Sequence, residues 1–291
     1  MGVPMARNLH RAGWLVGVWN RTAATADATA AELQITAAAD PASLARDCDA
    51  VVMCVSADPD VMAVVDALAP ALRPGLLVID CSTVSADTAR AAGSKIRAHG
   101  ADFLDAPVSG GVEGAARATL AIMVGGADAA FERAQPLLRA LGKTITHFGA
   151  QGAGQAAKAT NQIMVAGIIS AVAEGLAFAS SQGLALGKVI ATLSQGAGAS
   201  WYLANRGPFM QRGAYPAGFR VRLHEKDLKI CRAMAHNAGA ELSVVEAALR
   251  DYARLIALGF GDEDISALFR LKSAQFAPSN LASQDTGANG S

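Results

Sequence analysis

Short apolar runs alternate with stretches of helical period from the start of the chain to about residue 150. Residues 15–19, 50–55, 76–80, 103–105, 120–124 and 143–148 read as strands. Runs such as AVVMCV and LLVID stay apolar at successive positions, the pattern of strands covered on both faces. Asp40-Pro41 reads as an N-cap followed by proline at the first helical position, and Ser85 opens another helix. Gly13, Gly100 and Gly142 stand where helix C-caps belong. Alternating β and α predicts an α/β domain over residues 1–150, built on a doubly wound parallel sheet.

The pattern changes after Gly154. Residues 155–181 lack proline and read as one long helix, and further helices are expected near 187–194, 201–212, 224–238, 243–258 and 263–271. An all-helical second domain over residues 151–277 is therefore expected, ending in a polar, Gly/Ser-rich tail over 278–291 that predicts disorder. The longest apolar stretch, residues 163–173, stops at Glu174 and falls well short of the roughly 20 residues a bilayer span needs. It predicts a buried or interfacial helix and no membrane partner.

Composition narrows the function classes. With 291 residues, two domains are the expectation. An apolar content of 52% excludes disorder for the bulk of the chain. Twenty-five basic residues balance twenty-five acidic ones with no basic stripe, which argues against a nucleic-acid partner. The N-terminus has no continuous apolar run of the signal-peptide kind. The four cysteines show no CxxC and no framework spacing, and Cys54 and Cys81 read as small buried hydrophobes. These features together predict a cytoplasmic protein.

Several polar segments interrupt this apolar background. Gly2 opens a helix that leads into the first predicted strand, as the third glycine of a strand–GxGxxG–helix unit does. Asn20-Arg21-Thr22 lies at the end of that strand, where a dinucleotide fold places the residue that reads the adenosine ribose. No carboxylate is present there; arginine and threonine suit a 2′-phosphate, and a plain polar turn is an equal alternative. Ser109-Gly110-Gly111 follows a strand and can turn backbone N–H groups toward a carboxylate or phosphate, or can be an ordinary tight turn. Lys158 and Asn161, three residues apart, share one face of the long helix amid alanine and aliphatic side chains. A lysine in such surroundings loses its charge more easily, as a general acid–base needs, or simply snorkels its ammonium to solvent. The five histidines show no metal-ligand spacing.

Taken together, MGVPMARNLHRAG, NRT, IDCSTVS, DAPVSGGVEGA, GAGQAAKATNQ, HEKDL and GFGDEDISAL resemble the β-hydroxyacid dehydrogenase family, in the family's order and nearly to residue 275. That family includes 3-hydroxyisobutyrate dehydrogenases and tartronate-semialdehyde and glyoxylate/succinic-semialdehyde reductases. The resemblance implies a Rossmann domain followed by an all-α domain, with the site between them. It implies Lys158 as catalytic acid–base, Asn161 as substrate-binding and positioning residue, and Ser109, Gly110 and Gly111 holding the substrate carboxylate. It places Met1, Gly2, Asn20, Arg21, Thr22 and Thr83 along the cofactor, with Lys226 closing over it. Arg21 and Thr22 resemble the NADP-preferring members, with NAD the alternative cofactor. A small carboxylate substrate and a homodimer or homotetramer complete the expectation, the long helix packing against a second subunit.

Two departures stand out. The family's first strand and first two glycines have no counterpart, since Met1-Gly2 matches the end of GxGxMG, and Met1 is therefore expected not to be the true start. Ala118 stands where the family usually carries glycine. An imine reductase of the same superfamily typically replaces the lysine, so Lys158 argues against it. A non-catalytic dimeric binding module is the reading from another class, opposed by the zero net charge and by Lys158, and a truncated pseudoenzyme is the rival to a misplaced start.

Overall fold

The computed structural model describes residues 1–276; the tail expected over 278–291 lies outside the described residues. Contacts divide the chain into two compact units. The first is Met1–Gln162 with Asp227–Glu241, and the second is Ile163–Lys226 with the described residues from Leu242 onward.

In the first unit the order is α1 (Gly2–Arg11), β1 (Gly17–Val18), α2 (Ala23–Leu33), β2 (Thr36–Ala37), α3 (Pro41–Arg46), β3 (Ala50–Met53), α4 (Asp58–Leu68) and β4 (Leu77–Asp80). It continues with α5 (Ala86–Ala98), β5 (Asp102–Asp105), β6 (Val108–Ser109), α6 (Gly111–Ala116), β7 (Leu120–Gly125), α7 (Asp128–Leu141) and β8 (Gly142–Gly149). The expected caps form: Asp40 and Ser43 make a reciprocal capping box on α3, and Ser85 Oγ accepts from Thr88 N–H at 3.0 Å on α5.

β3, β4 and β5 are parallel, with Val78 opposite both Val51 and Phe103. Successive side chains of β4 enter opposite cores. Leu77 and Ile79 pack with Met5 and Leu9 of α1 and with Leu138 and Leu141 of α7. Val78 packs with Val61 and Leu68 of α4 and Ile96 of α5. Helices thus cover both faces, which explains why these strands read as unbroken apolar runs. β7 joins β5 and β6 antiparallel, while β8 lies parallel to β7. Connection length accounts for the difference: the short α6 link between β6 and β7 returns the chain antiparallel, whereas the 14-residue α7 allows a parallel crossover.

Local differences from the sequence pattern have physical causes. The strand expected over 15–19 shortens to Gly17–Val18, because only β2 pairs with it. β2 and β6, two residues each, are too short to leave a periodic signal. Gly13 and Gly100 take the left-handed conformation after their helices, but Gly142 does not: its φ is −151°, and it begins β8. Glycine is needed there for close approach, since a Cβ would lie 3.0 Å from Ile122 Cδ1. Ala118 has φ +54°, a conformation glycine adopts without strain.

α8 (Ala153–Ser181) contributes its first ten residues to the first unit and the rest to the second. By length and composition it is apolar enough to cross a membrane, with mean hydropathy 1.9 in its most apolar window. The second unit also contains α9 (Leu186–Leu193), α10 (Trp201–Arg212), the start of α11 (Val221–Asn237), α12 (Ser243–Ala257) and α13 (Leu268–Ala274). Buried Ile169, Ala173, Tyr252, Leu255 and Leu268 supply much of its apolar interior. Buried Asp264 caps a 3-10 turn through Ser266 N–H and pairs with Arg206 at 3.3 Å.

Candidate active site

The first ten residues of α8 are held to the carboxyl ends of β4 and β5 by buried polar contacts. Asp105, the last residue of β5, accepts from Gly152 N–H and Gln151 Nε2 on Oδ1, both at 2.8 Å, and from Gln155 N–H on Oδ2 at 2.9 Å. The carboxylate thereby satisfies N–H groups at the opening of α8 that lack intrahelical partners. Gly154 makes the approach possible, since a Cβ there would fall 2.5 Å from Asp105 O. Burial raises the Asp105 carboxyl above its usual value, and the N–H groups of Gly152 and Gln155 oppose that rise.

Gln155 ties the same helix to the loop after β4. Its Nε2 donates to Ser82 O at 2.8 Å, and its Oε1 accepts from Val84 N–H at 3.2 Å. Thr83, half-buried, lies between those two anchors. Ser82 extends the tie to the loop after β3 by accepting from Val55 N–H on its Oγ, and its N–H donates to Asp80 Oδ1 at 2.9 Å. Asp80 is fully buried, and its Oδ2 has no hydrogen-bond partner among the described residues. Burial pushes its carboxyl up to about 6.

Lys158 lies one turn beyond Gln155 and is buried, at 7% exposure. Asn161 is half-buried on the next turn; its Nδ2 donates to Gln162 Oε1 at 2.8 Å, and Gln162 Nε2 donates to Asp227 Oδ2 at 2.6 Å. The GAGQAAKATNQ and HEKDL segments therefore meet through Asp227. Its neighbour Lys226, the residue expected at the cofactor, belongs to the second unit.

Ser109 ends β6 beside Ala121 of β7 and is half-buried. Gly110, the N-cap of α6, and Gly111 have φ of +133° and +66°, so the turn requires glycine at both positions. The structure thus attaches the Thr83 loop and the Lys158–Asn161 face to each other through Gln155, and sets the Ser109–Gly111 turn at the end of β6, the short strand that follows β5.

A second group surrounds a cleft of about 750 Å³ whose lining includes Gly2, Asn20, Arg21 and Thr22. Met1 is the N-cap of α1, which has no side-chain cap hydrogen bond. Arg21 is exposed, and its Nη1 donates to Asp60 Oδ1 at 2.6 Å. Asn20 Oδ1 accepts from Thr22 N–H at 3.0 Å. A helix N-terminus without a side-chain cap and an exposed guanidinium suit the diphosphate and 2′-phosphate of a dinucleotide. A Cβ on Gly2 would meet nothing within 4 Å, so its expected role in tight packing against a strand has no counterpart among the described residues.

Asp105, Gln155, Gln162 and Asp227 were not singled out from the sequence. Asp105 left a signal, a carboxylate closing the buried run FLD. The two glutamines left none beyond their place beside Lys158 and Asn161.

Comparison with known proteins matches a family profile described as the NAD binding domain of 6-phosphogluconate dehydrogenase over residues 1–149. One described as NAD-binding of NADP-dependent 3-hydroxyisobutyrate dehydrogenase matches residues 152–272. The chain is 34% identical over 285 residues to the NAD-dependent L-serine dehydrogenase of Pseudomonas aeruginosa, covering 93% of this chain and 94% of that protein. It is 38% identical over 237 residues to the 2-hydroxy-3-oxopropionate reductase of Escherichia coli, covering 79% of each. The solved structure of Mycobacterium tuberculosis 3-hydroxyisobutyrate dehydrogenase with L-serine superposes with a TM-score of 0.84 at 33% identity, covering 93% of this chain and 95% of that one.

Proposed function

Because the chain belongs to the NAD(P)-dependent β-hydroxyacid dehydrogenase family, we propose that it interconverts a small β-hydroxy acid and the matching semialdehyde, with Lys158 as the acid–base and NADP as the preferred cofactor. The observation that carries the reading is the buried Lys158, one turn from a glutamine clamped to the Thr83 loop, on a helix whose start is pinned by Asp105.

In oxidation, neutral Lys158 Nζ takes the proton from the substrate hydroxyl. In reduction, its ammonium returns that proton to the nascent alkoxide. When bound, the nicotinamide accepts or supplies the hydride. Asn161, linked through Gln162 to Asp227, restrains the helix face beside Lys158 and offers its amide to the substrate. Ser109 and the N–H groups of Gly110 and Gly111 bind the carboxylate, which contributes positioning. Arg21, Thr22 and Asn20 receive the 2′-phosphate end of the cofactor, Met1 and Gly2 its diphosphate, and Thr83 its nicotinamide ribose; Lys226 completes the cofactor contacts.

The names of these relatives support the substrate class: L-serine, 3-hydroxyisobutyrate and 2-hydroxy-3-oxopropionate are each small carboxylates oxygenated at the β-carbon. The same reading makes the protein a cytoplasmic homo-oligomer without nucleic-acid or membrane partners. The test follows reduced nicotinamide absorbance with a panel of such acids and semialdehydes, comparing the parent with Lys158→Ala. A fall in kcat of roughly 10²–10⁴-fold with cofactor Kd unchanged is expected. Near-parental turnover in the variant overturns the role given to Lys158.

A further inference from the structure

The backbone on both sides of Thr83 is held by three side chains. Ser82 N–H donates to Asp80 Oδ1 at 2.9 Å. Gln155 of α8 donates to Ser82 O at 2.8 Å and accepts from Val84 N–H at 3.2 Å. Asp58, at the start of α4, accepts from Ser85 N–H at 2.9 Å and from Thr88 Oγ1 at 2.7 Å. Asp80 differs from the other two in what it leaves unmet. It is fully buried, and its Oδ2 has no hydrogen-bond partner among the described residues. It stands opposite Asp105 in the β4–β5 register, and Asp105 and Asp58 add like-charge repulsion to the cost of burial. The thiol of Cys81 adjoins it, with that of Cys54 beyond. Lys158 is the one titratable residue among the first ten of α8. A neutral side chain of the same shape would avoid the cost of the charge. Buried charges are ordinarily paired, and groups that break this rule collect at functional sites.

We propose, on the reading that Thr83 contacts the nicotinamide ribose, that Asp80 is a positioning residue for the cofactor: its ionised carboxylate grips the Ser82 N–H and fixes Thr83 in place, and a proton on Oδ2 slackens that grip. Asp80 is wholly buried and acts through Ser82, without touching the cofactor. Protonation leaves Oδ1 as a neutral acceptor, and a neutral hydrogen bond has about half the strength of a charge-assisted one. Gln155 and Asp58 keep their own contacts, so the loop stays folded and only its hold at Ser82 changes. Burial, with the two neighbouring carboxylates, raises the Asp80 carboxyl to about 6. The charge is therefore present on most molecules above that pH and on few well below it. Stability and binding then run in opposite directions. The fold gains from the proton, whereas cofactor binding gains from its loss.

The test compares the 291-residue chain with its Asp80→Asn variant. Asparagine keeps an acceptor for the Ser82 N–H and carries no charge, so it stands for the protonated form at every pH. The first readout needs no cofactor: protection of the Ser82 amide against hydrogen exchange, corrected for the intrinsic pH dependence of exchange. Between about pH 7.5 and about pH 5 it is expected to fall about three- to tenfold in the parent and to stay level in the variant. The second is the Kd for NADPH, read from its own fluorescence. The variant is expected to bind about three- to tenfold more weakly at about pH 7.5 and within about twofold of the parent at about pH 5. The ratio of the two proteins cancels the titration of the cofactor's 2′-phosphate. In turnover, the cofactor KM is expected to change more than kcat. Ser82 protection that ignores pH in the parent overturns the proposal, and decides it alone if the variant fails to fold. A Kd ratio that stays level with pH while both proteins bind the cofactor also overturns it, and the dehydrogenase reading survives either result. Cofactor binding by neither protein overturns both.

Discussion

Asp105→Asn isolates the contact that seats α8 on the sheet. The carboxylate accepts three N–H donors on two oxygens. An asparagine keeps one acceptor oxygen and turns an NH2 group toward the donors on the other side, so at least one buried N–H loses its partner, at about 1–3 kcal/mol. The remaining bonds fall from charge-assisted to neutral strength. Removing the buried charge offsets part of this loss, because burial outweighs the hydrogen bonds in setting the direction of the Asp105 shift. A net destabilisation of about 1–2 kcal/mol near neutral pH follows, read from urea unfolding at constant m. Loosening the helix start also displaces Lys158, so kcat should fall by roughly tenfold or more, with KM changed less. Asp102→Asn on the same strand is the control: its ion pair with Arg133 is largely exposed, and its loss should cost less than about 0.5 kcal/mol. If Asp105→Asn matches that control in both stability and kcat, the account of the helix anchor is wrong.

Asp80 predicts a pH dependence. Its carboxyl is raised to about 6 in the fold against the ordinary 3.8. Between those values the folded chain holds a proton that the unfolded chain has lost, so stability rises as pH falls through the window and is lost as pH rises through the folded value. The contribution is about 1.4 kcal/mol per pH unit and about 3 kcal/mol in all; Asp80→Asn should flatten the stability profile from pH 7 to 4, and an unchanged slope refutes it. Arg21→Ala should weaken NADP binding by about 1.5–3 kcal/mol and NAD binding by far less. Its effect on folding should be small, since the Arg21–Asp60 pair is exposed on the arginine side; titration calorimetry with both cofactors decides, and equal losses count against the 2′-phosphate assignment.

Much of the fold is legible in the chain itself, because burial on both faces writes a continuous apolar run and helix ends write their own chemistry. AVVM, LVID and LAIMVG announce β3, β4 and β7, and Asp40 and Ser85 announce α3 and α5 before any contact is known. Lys158 and Asn161 were visible for the same reason, as polar residues on an apolar helix face. What local pattern could not supply was pairing. Ladder partners lie tens of residues away, so the antiparallel entry of β7, the two-residue strands β2 and β6, and the shortening of β1 for want of a second partner were settled by tertiary structure. Gly142, read as a cap, proved to be a glycine of close approach, a distinction that depends on Ile122. The polar ties that hold the site, from Asp105 to the start of α8, from Gln155 to the Thr83 loop and from Gln162 to Asp227, join residues 47 to 73 positions apart. A hydrogen bond over such a separation has no sequence period to betray it, and it exists only once the sheet has brought its two ends together.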